Sequence, residues 1–186
     1  MKLWQPVFAA ALLAGSPAWA ETATGNFKTT IEIIKACEVN THSGTLESPT
    51  GADINFGQYP GSQTGEITAS GAQKDTGNAL TVKCSKDTSF SIGLMPTSTS
   101  NNDGTGTMKR TDGDEKIAYS LHKDNTYNNA WGNEGASLVR ETGTGFGSSV
   151  NANNTTFTVY GKIEAGQLLD KPIGRYNDTV QVTVTY

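Results

Sequence analysis

Hydrophobic and polar residues alternate along this chain in short runs that are separated by turn residues. In the last run, Val180, Val182, Val184 and Tyr186 occupy every second position, with polar residues between them. Similar runs begin at Phe27, Leu80, Phe90, Ile117 and Phe157. A period of two residues places one face of a β-strand on a core and the other face in water. Many short strands with turns between them predict an all-β fold, an antiparallel β-sandwich.

Two long polar stretches, 96–115 and 141–154, interrupt this alternation. Both are rich in Gly, Ser, Thr, Asn or Asp, and they contain few apolar side chains that a core would bury. Segments of this composition connect strands at the surface of a protein. We therefore expect both stretches to be exposed loops at the ends of the sandwich.

The first 20 residues have the features of a secretory signal peptide. Lys2 provides a positive start, residues 7–14 form a short apolar run, and Ala18-Trp19-Ala20 has the pattern that signal peptidase recognises. We predict cleavage after Ala20 and a mature chain that begins at Glu21. An uncleaved membrane anchor is the alternative, but the run is shorter than the roughly 18 apolar residues of a bilayer span. The protein is therefore expected to be exported, without a membrane span.

The charge of the mature chain argues against two classes of partner. Removing 20 residues from 186 leaves 166, a length that favours a single domain. Of the 14 basic residues one, Lys2, is lost with the leader, so 13 basic residues face 18 acidic ones and the net charge is about -5. Nucleic acids and anionic membranes bind basic surfaces, and no basic stripe is present. We expect neither partner.

The two cysteines, Cys37 and Cys84, predict a disulfide bond. An even pair in a small exported domain is typical of an oxidised, cross-linked chain. A metal site and a catalytic thiol are the alternatives. The two histidines, His42 and His122, do not have the spacing of metal ligands relative to either cysteine. They also lie outside any nucleophile motif such as Gly-x-Ser-x-Gly, so we expect no metal, no cofactor and no enzymatic activity.

The two ends of the chain suggest how the protein acts. Residues 22–35 form an extended alternating segment before the first cysteine, and the final predicted strand stops at Tyr186. A sandwich that lacks its last strand has an apolar groove and an open sheet edge, which a strand from another molecule could fill. Such head-to-tail addition produces an open filament. On the pattern alone, an ordinary first strand of a complete fold is the alternative for the N-terminal segment.

Several short motifs occur in the order of a known family. They are the segment entering Cys37, Ile54-Asn55-Phe56-Gly57, Leu80-Thr81-Val82-Lys83-Cys84, Ala118-Tyr119-Ser120-Leu121, Trp131-Gly132, Val159-Tyr160-Gly161 and the ending from Gly174 to Tyr186. In this order they resemble the spore coat protein U domain, whose best-known members are pilins of archaic chaperone–usher pili such as the Csu pilus. Two positions depart from the family pattern. His122 stands where members often have an aromatic residue, and Met108-Lys109-Arg110 lacks the usual Arg-x-hydrophobic order.

The resemblance implies a fold and a mechanism. Family members are similar to immunoglobulin folds that lack the final strand, which a periplasmic chaperone supplies until an outer-membrane usher exchanges it for the next subunit's donor strand. The implied domains are a donor segment at 21–36 and a pilin domain at 37–186. The implied donor residues are Phe27, Thr29, Ile31 and Ile33. The implied acceptor groove is lined partly by Val180, Val182, Val184 and Tyr186, and Cys37 and Cys84 tie the first strand to the sheet.

This resemblance predicts a structural subunit of a cell-surface fimbrium that supports attachment and biofilm formation. Its partners would be a chaperone, an usher and further copies or related pilins. One domain suits a shaft or minor subunit better than a tip adhesin. Two alternatives remain: a coat protein of a spore or cell surface, and a secreted sugar-binding adhesin that stacks sugars on Tyr59, Tyr127 and Trp131. A donor segment that folds back into its own groove also remains open.

Overall fold

The protein is described here by a computed structural model that covers residues 21–71, 79–147 and 156–186. The predicted signal peptide, 1–20, lies outside the described residues, and its cleavage stays a prediction. Over the described ranges, no helix is long and apolar enough to cross a membrane. Residues 21–36 contain no regular secondary structure, and all strands lie between Cys37 and Thr185.

The strands of the described residues are short, and they form three antiparallel sheets. In chain order they are β1 (Cys37–Asn40), β2 (Ile67–Ser70), β3 (Leu80–Cys84), β4 (Ser89–Pro96), β5 (Thr105–Arg110), β6 (Lys116–His122), β7 (Val139–Thr142), β8 (Thr156–Phe157), β9 (Tyr160–Ile163), β10 (Tyr176–Asn177) and β11 (Val180–Thr185). The largest sheet has the order β10-β5-β6-β9-β2, and the smaller two have the orders β1-β3-β8 and β11-β4-β7. The predicted all-β, antiparallel fold is confirmed, and its layout is consistent with an immunoglobulin-like sandwich.

One hydrophobic core receives side chains from all three sheets. The alternation predicts its members well in β3, β4 and β6, where every second residue is buried. The core side chains of these strands are Leu80, Val82, Cys84, Phe90, Ile92, Leu94, Ile117, Tyr119 and Leu121. Burying a side chain of this size contributes about 1.5–3 kcal/mol, so these positions dominate the stability of the fold.

Trp131 links two of the sheets through the core. Its indole N–H donates a hydrogen bond to the carbonyl of Ile92 in β4 at 3.1 Å, and its ring packs edge-on against Phe157 with centroids 6.3 Å apart. The backbone around it connects β6 to β4, because Trp131 N–H donates to Leu121 and the Gly132 carbonyl accepts from Leu94. Only 1% of Trp131 is exposed. The ring is therefore a structural side chain.

The expectation of a loop over 96–115 is wrong in its second half, where β5 occupies Thr105–Arg110. Gly106 explains why the pattern missed this strand. It takes an inward position directly opposite Tyr119, and a Cβ there would lie 2.6 Å from a Pro96 carbon and 2.8 Å from the Tyr119 ring. The side chains of Pro96 and Tyr119 fill the space inside Gly106, so this inward position of the strand holds no apolar side chain that the alternation could reveal.

The second predicted loop, 141–154, is described only in part. Its first two residues belong to β7, which ends at Thr142, and residues 143–147 have no strand or helix. Residues 148–154 lie outside the described residues. The prediction is therefore wrong for the last residues of β7 and in agreement with the structure from Gly143 to Gly147.

Cys37 and Cys84 form a disulfide bond, as predicted. They are directly opposite each other in the register of β1 and β3, so the bond joins the first strand of the fold to a buried strand. This pairing excludes the metal site and the catalytic thiol that were the alternatives for these residues. It also fixes the chain immediately after the N-terminal segment.

Replacing both Cys37 and Cys84 with serine should lower the free energy of unfolding by about 4 kcal/mol. In the chain-entropy model this is the value for a closed loop of about 48 residues, and the two cysteines are 47 positions apart. Denaturant unfolding of the variant and of the wild type, oxidised and reduced, measures the difference. An oxidised wild type that unfolds at the same denaturant concentration as the variant would contradict the expectation.

Candidate donor segment and acceptor edge

β11 lies at the edge of its sheet and is paired on one side only. All six of its residues align with β4, from Val180 opposite Pro96 to Thr185 opposite Ser91. Among the described residues, no strand pairs with its other edge. An unpaired edge exposes a row of backbone N–H and C=O groups that can template a further strand. β11 therefore has the geometry of a strand acceptor.

The predicted groove residues differ in how deeply they lie. Val180, Val182 and Val184 all pack against the core but remain partly exposed. By comparison, their buried neighbours on β4, Ile92 and Leu94, are at most 1% exposed. A strand added beside β11 would cover the valines, because neighbouring strands of a sheet share their inward face.

Tyr186, the fourth predicted groove residue, lies beyond the end of β11 and is 54% exposed. It lines a shallow depression at the end of the sheet with Phe90, Arg140 and Thr185. The structure thus brings the three valines together on one face and places the tyrosine at the rim of the sheet.

The start of β11 is held by a carboxylate that the sequence analysis did not identify. Asp178 accepts hydrogen bonds from the hydroxyl groups of Tyr119 at 2.8 Å and Ser98 at 2.5 Å. Burial, together with the Asp178 carboxylate, raises the pKa of Tyr119 well above its ordinary value. Tyr119 therefore stays protonated and acts as a donor. The motif that contains Asp178 was noted in the sequence, but its bonds join residues that are far apart in the chain.

The predicted donor residues lie in a segment without regular structure. Phe27, Ile31 and Ile33 are each more than 85% exposed, and Thr29 is exposed as well. Three large apolar side chains at alternating positions are thus in contact with water. Each of them would contribute about 1.5–3 kcal/mol if it were fully buried by a partner.

Ser85 holds the chain where this segment meets the folded body. Its N–H donates to the Ala36 carbonyl at 2.9 Å, and its hydroxyl oxygen accepts from the Ala36 N–H at 3.1 Å. Ser85 follows Cys84, so these bonds and the disulfide act on adjacent residues. The extended chain is therefore anchored from Ala36 onward.

The two histidines are separate and serve the fold. His122 is 9% exposed, its Nε2 lies 2.8 Å from Ser120 Oγ, and its ring packs edge-on against Tyr127. Burial, followed by the nearby charge of Lys162, lowers the pKa of His122. His42 contacts Thr81 instead. Within the described residues neither ring is hydrogen-bonded to a carboxylate, which a base in a catalytic triad requires.

The aromatic residues suggested for sugar stacking do not form one exposed surface. Trp131 is buried, so it is unavailable to a sugar, and the Tyr127 ring packs against His122 and Tyr160. Tyr59 remains 45% exposed. The described ranges also contain no group of three or more side chains placed to hold a metal ion.

The sheets, the disulfide and the open edge define a small all-β domain in which β11 lies at the edge of its sheet. A model of the Spore Coat Protein U domain matches residues 23–183. The chain is also 31% identical over 183 residues to Protein U of Myxococcus xanthus, a match that covers 96% of this chain and 93% of that protein. The chain belongs to the spore coat protein U domain family.

One solved structure is similar to this chain over much of its length. It is the CsuC–CsuE chaperone–tip adhesion subunit pre-assembly complex from archaic chaperone–usher Csu pili of Acinetobacter baumannii. The TM-score is 0.44 at 20% identity, and the match covers 83% of this chain. The chain spans 40% of the length of the matched chain in that complex.

The stability of the protein should fall as the pH decreases from about 6.5, the ordinary pKa of histidine. The pKa of His122 is lowered in the folded state, so in this range the unfolded state binds more protons and gains stability. Replacing His122 with phenylalanine should reduce this dependence, measured as the unfolding midpoint from pH 7 to pH 5. The control change His42→Gln should retain it, because it leaves the His122 ring in place. An equal loss of stability in the His122→Phe protein would contradict the expectation.

Proposed function

We propose that this chain is a structural subunit of an archaic chaperone–usher pilus, and that it polymerises by donor-strand complementation. One observation supports the proposal: the same chain has an edge strand with partly exposed valines, paired on one side among the described residues, and a segment in which Phe27, Ile31 and Ile33 are exposed and share one parity. The edge strand could pair with a further strand whose side chains cover its valines, and the apolar side chains of the segment could be buried against a core. Exposed apolar patches of this kind mark interaction sites.

The two elements match in length and in pattern. β11 offers six residues, with its valines on the inward face. A donor strand would place Phe27, Thr29, Ile31 and Ile33 on one face, because alternate residues of a strand point the same way. If this strand paired with β11, its inward side chains would lie beside the valines of β11 and pack on the same core. The backbone ladder supplies the affinity, and the alternate side chains supply the register.

The position of the donor's anchor favours a head-to-tail filament. Ser85, which holds Ala36, lies one tight turn before the start of β4, where β11 ends. A donor from another subunit would instead have its own body at the opposite end, where β11 begins at Val180. It would then run antiparallel to β11. Such a contact joins two different surfaces, so it propagates as an open fibre.

The proposed partners follow from the open edge. A subunit with an unpaired strand and exposed valines is prone to aggregate before it is assembled. In the proposed pathway, the chain is exported through the periplasm, where a chaperone covers the edge, and an outer-membrane usher exchanges the chaperone for the next donor segment. The finished fimbrium would lie on the cell surface and support attachment and biofilm formation.

A non-fimbrial coat protein is the second candidate, and the similarity to Protein U over almost the whole chain supports it. The two candidates differ in whether subunits join through the donor segment. Expression of the chain with its chaperone, followed by gel electrophoresis in denaturant without boiling, separates them. A ladder of multimers that disappears on boiling, and that is absent when residues 21–33 are deleted, supports the pilus subunit. A single monomer band in both proteins favours the coat protein.

Replacing Ile31 with aspartate should abolish the ladder and leave the folded body unchanged. Ile31 is 90% exposed before assembly, but in the proposed fibre its side chain enters the core, where an unpaired charge is strongly unfavourable. The measurement is the unboiled gel, with the unfolding midpoint of the monomer as a test of folding.

Thr30→Asp is the matched control for this change. Thr30 is adjacent to Ile31 and has the opposite parity, so its side chain would face water in the donor strand. The control should retain the ladder. Loss of the ladder in both variants would show that charge in this segment, and not the alternating face, is responsible.

A further inference from the structure

The carboxylate of Asp178 lies at the junction of four parts of the fold. It accepts from the Tyr119 hydroxyl in β6, from the Ser98 hydroxyl after β4 and, at 3.4 Å, from the Thr97 hydroxyl. Ser98 also accepts from the backbone N–H of Thr107 in β5, so the network reaches a third strand. The fourth part is β11 itself, which begins two residues after Asp178. The Thr179 N–H donates to the same carboxylate at 2.8 Å, immediately before β11 begins.

The register of β11 is set mainly by contacts at its start, where β10 pairs with β5 and the Thr97 N–H donates to the Thr179 carbonyl. Among the described residues, β11 itself is held by one ladder, to β4, whereas a central strand is held by two. Its sequence alternates valine with polar residues, and a shift by two residues would keep valines facing the core. At its far end, Tyr186 lies beyond the last paired residue and is exposed. The hydrogen bonds at its start therefore distinguish one register from the others.

We propose that Asp178 is a positioning residue of the acceptor site: it fixes the register of β11 on β4 before a donor strand is added. The part of this inference that concerns strand capture rests on the proposed function, whereas the part that concerns register does not. In the fixed register, Val180 is opposite Pro96 and the three valines face the core together. An incoming donor then meets one defined set of backbone groups and side-chain positions. Without Asp178, β11 would sample slipped registers, and the donor would meet a mixture of edges.

A cysteine-pair experiment on the mature chain tests the register directly. Gln181 and Met95 are opposite each other, so the Gln181→Cys, Met95→Cys pair cross-links in the observed register. The Thr183→Cys, Met95→Cys pair cross-links only after a slip by two residues. In the Asp178→Asn background, the first cross-link should decrease and the second should form. A loss of stability alone would weaken the Gln181→Cys, Met95→Cys cross-link without producing the Thr183→Cys, Met95→Cys cross-link. An unchanged first cross-link would overturn the proposal.

Two further variants keep this test decisive. Tyr119→Phe removes one hydrogen-bond donor from the Asp178 carboxylate and retains the buried ring, so it should produce a smaller shift in the same direction. Asp124→Asn is the matched control, because Asp124 also accepts several side-chain hydrogen bonds, including one from Asn129 at 2.7 Å, in the loop after β6. The control should retain the observed register. A slipped cross-link in the Asp124→Asn protein would show a general loosening of the fold and would contradict the assignment to Asp178.

A binding experiment then tests the consequence for strand capture. The probe is a fluorescent peptide of residues 21–36, added to the mature chain carrying Ile31→Asp so that its own segment does not compete. Asp178→Asn should weaken binding by about tenfold, the loss expected when about a tenth of the molecules keep the binding-competent register. Equal binding with and without Asp178 would overturn the role in capture while the proposed function stands. Absence of binding in both proteins would instead refute donor-strand capture, and the cross-links would still decide the register.

Discussion

The structure depends on the fact that a β-strand has two edges, both of which need hydrogen-bond partners or water. β11 uses one edge for β4 and leaves the other without a strand among the described residues. The same strand carries valines that are only partly covered. Because backbone groups at an open edge can pair with further strands, an edge strand with partly exposed apolar side chains can lead to aggregation or to assembly.

The strand beside the open edge is the most firmly supported part of the fold. β4 carries Ile92 and Leu94 in the core, and its Ile92 carbonyl accepts the indole N–H of Trp131. The disulfide and Ser85 act where the N-terminal segment joins the body, one tight turn before the start of β4. Rigid elements thus hold both the acceptor edge and the base of the proposed donor. An incomplete sheet can remain ordered because its supporting strand does not depend on the missing one.

Alternation of residue types was enough to predict the all-β fold and the buried faces of β3, β4, β6 and β11. It failed at β5, where Gly106 leaves its inward position to the Tyr119 ring and so removes the apolar signal. It left open whether Trp131 is an exposed ring that could stack on sugars, because a single aromatic residue carries no period. Asp178 resembles any polar residue between two strands, and only its contacts with Ser98 and Tyr119, distant in sequence, show what it does. The local pattern of residue types predicts which face of a strand is buried. It does not predict hydrogen bonds between residues that are distant in sequence, which are seen only in the folded structure.

Two features of this chain are unusual for a stable monomer. The proposed donor segment exposes large apolar side chains, and the proposed acceptor edge leaves apolar side chains of the sheet partly uncovered. Phe27, Ile31 and Ile33 are apolar side chains without a core, while β11 borders a core that is not fully covered. In a protein that functions as a monomer, each would be a liability that selection removes by adding charge or by shortening the strand. Here the N-terminal segment carries the charged residues Lys28 and Glu32 between its apolar ones, and β11 is six residues long. The proposed donor-strand contact would bring these two features together, because the apolar face of the segment would cover the partly exposed valines of another subunit.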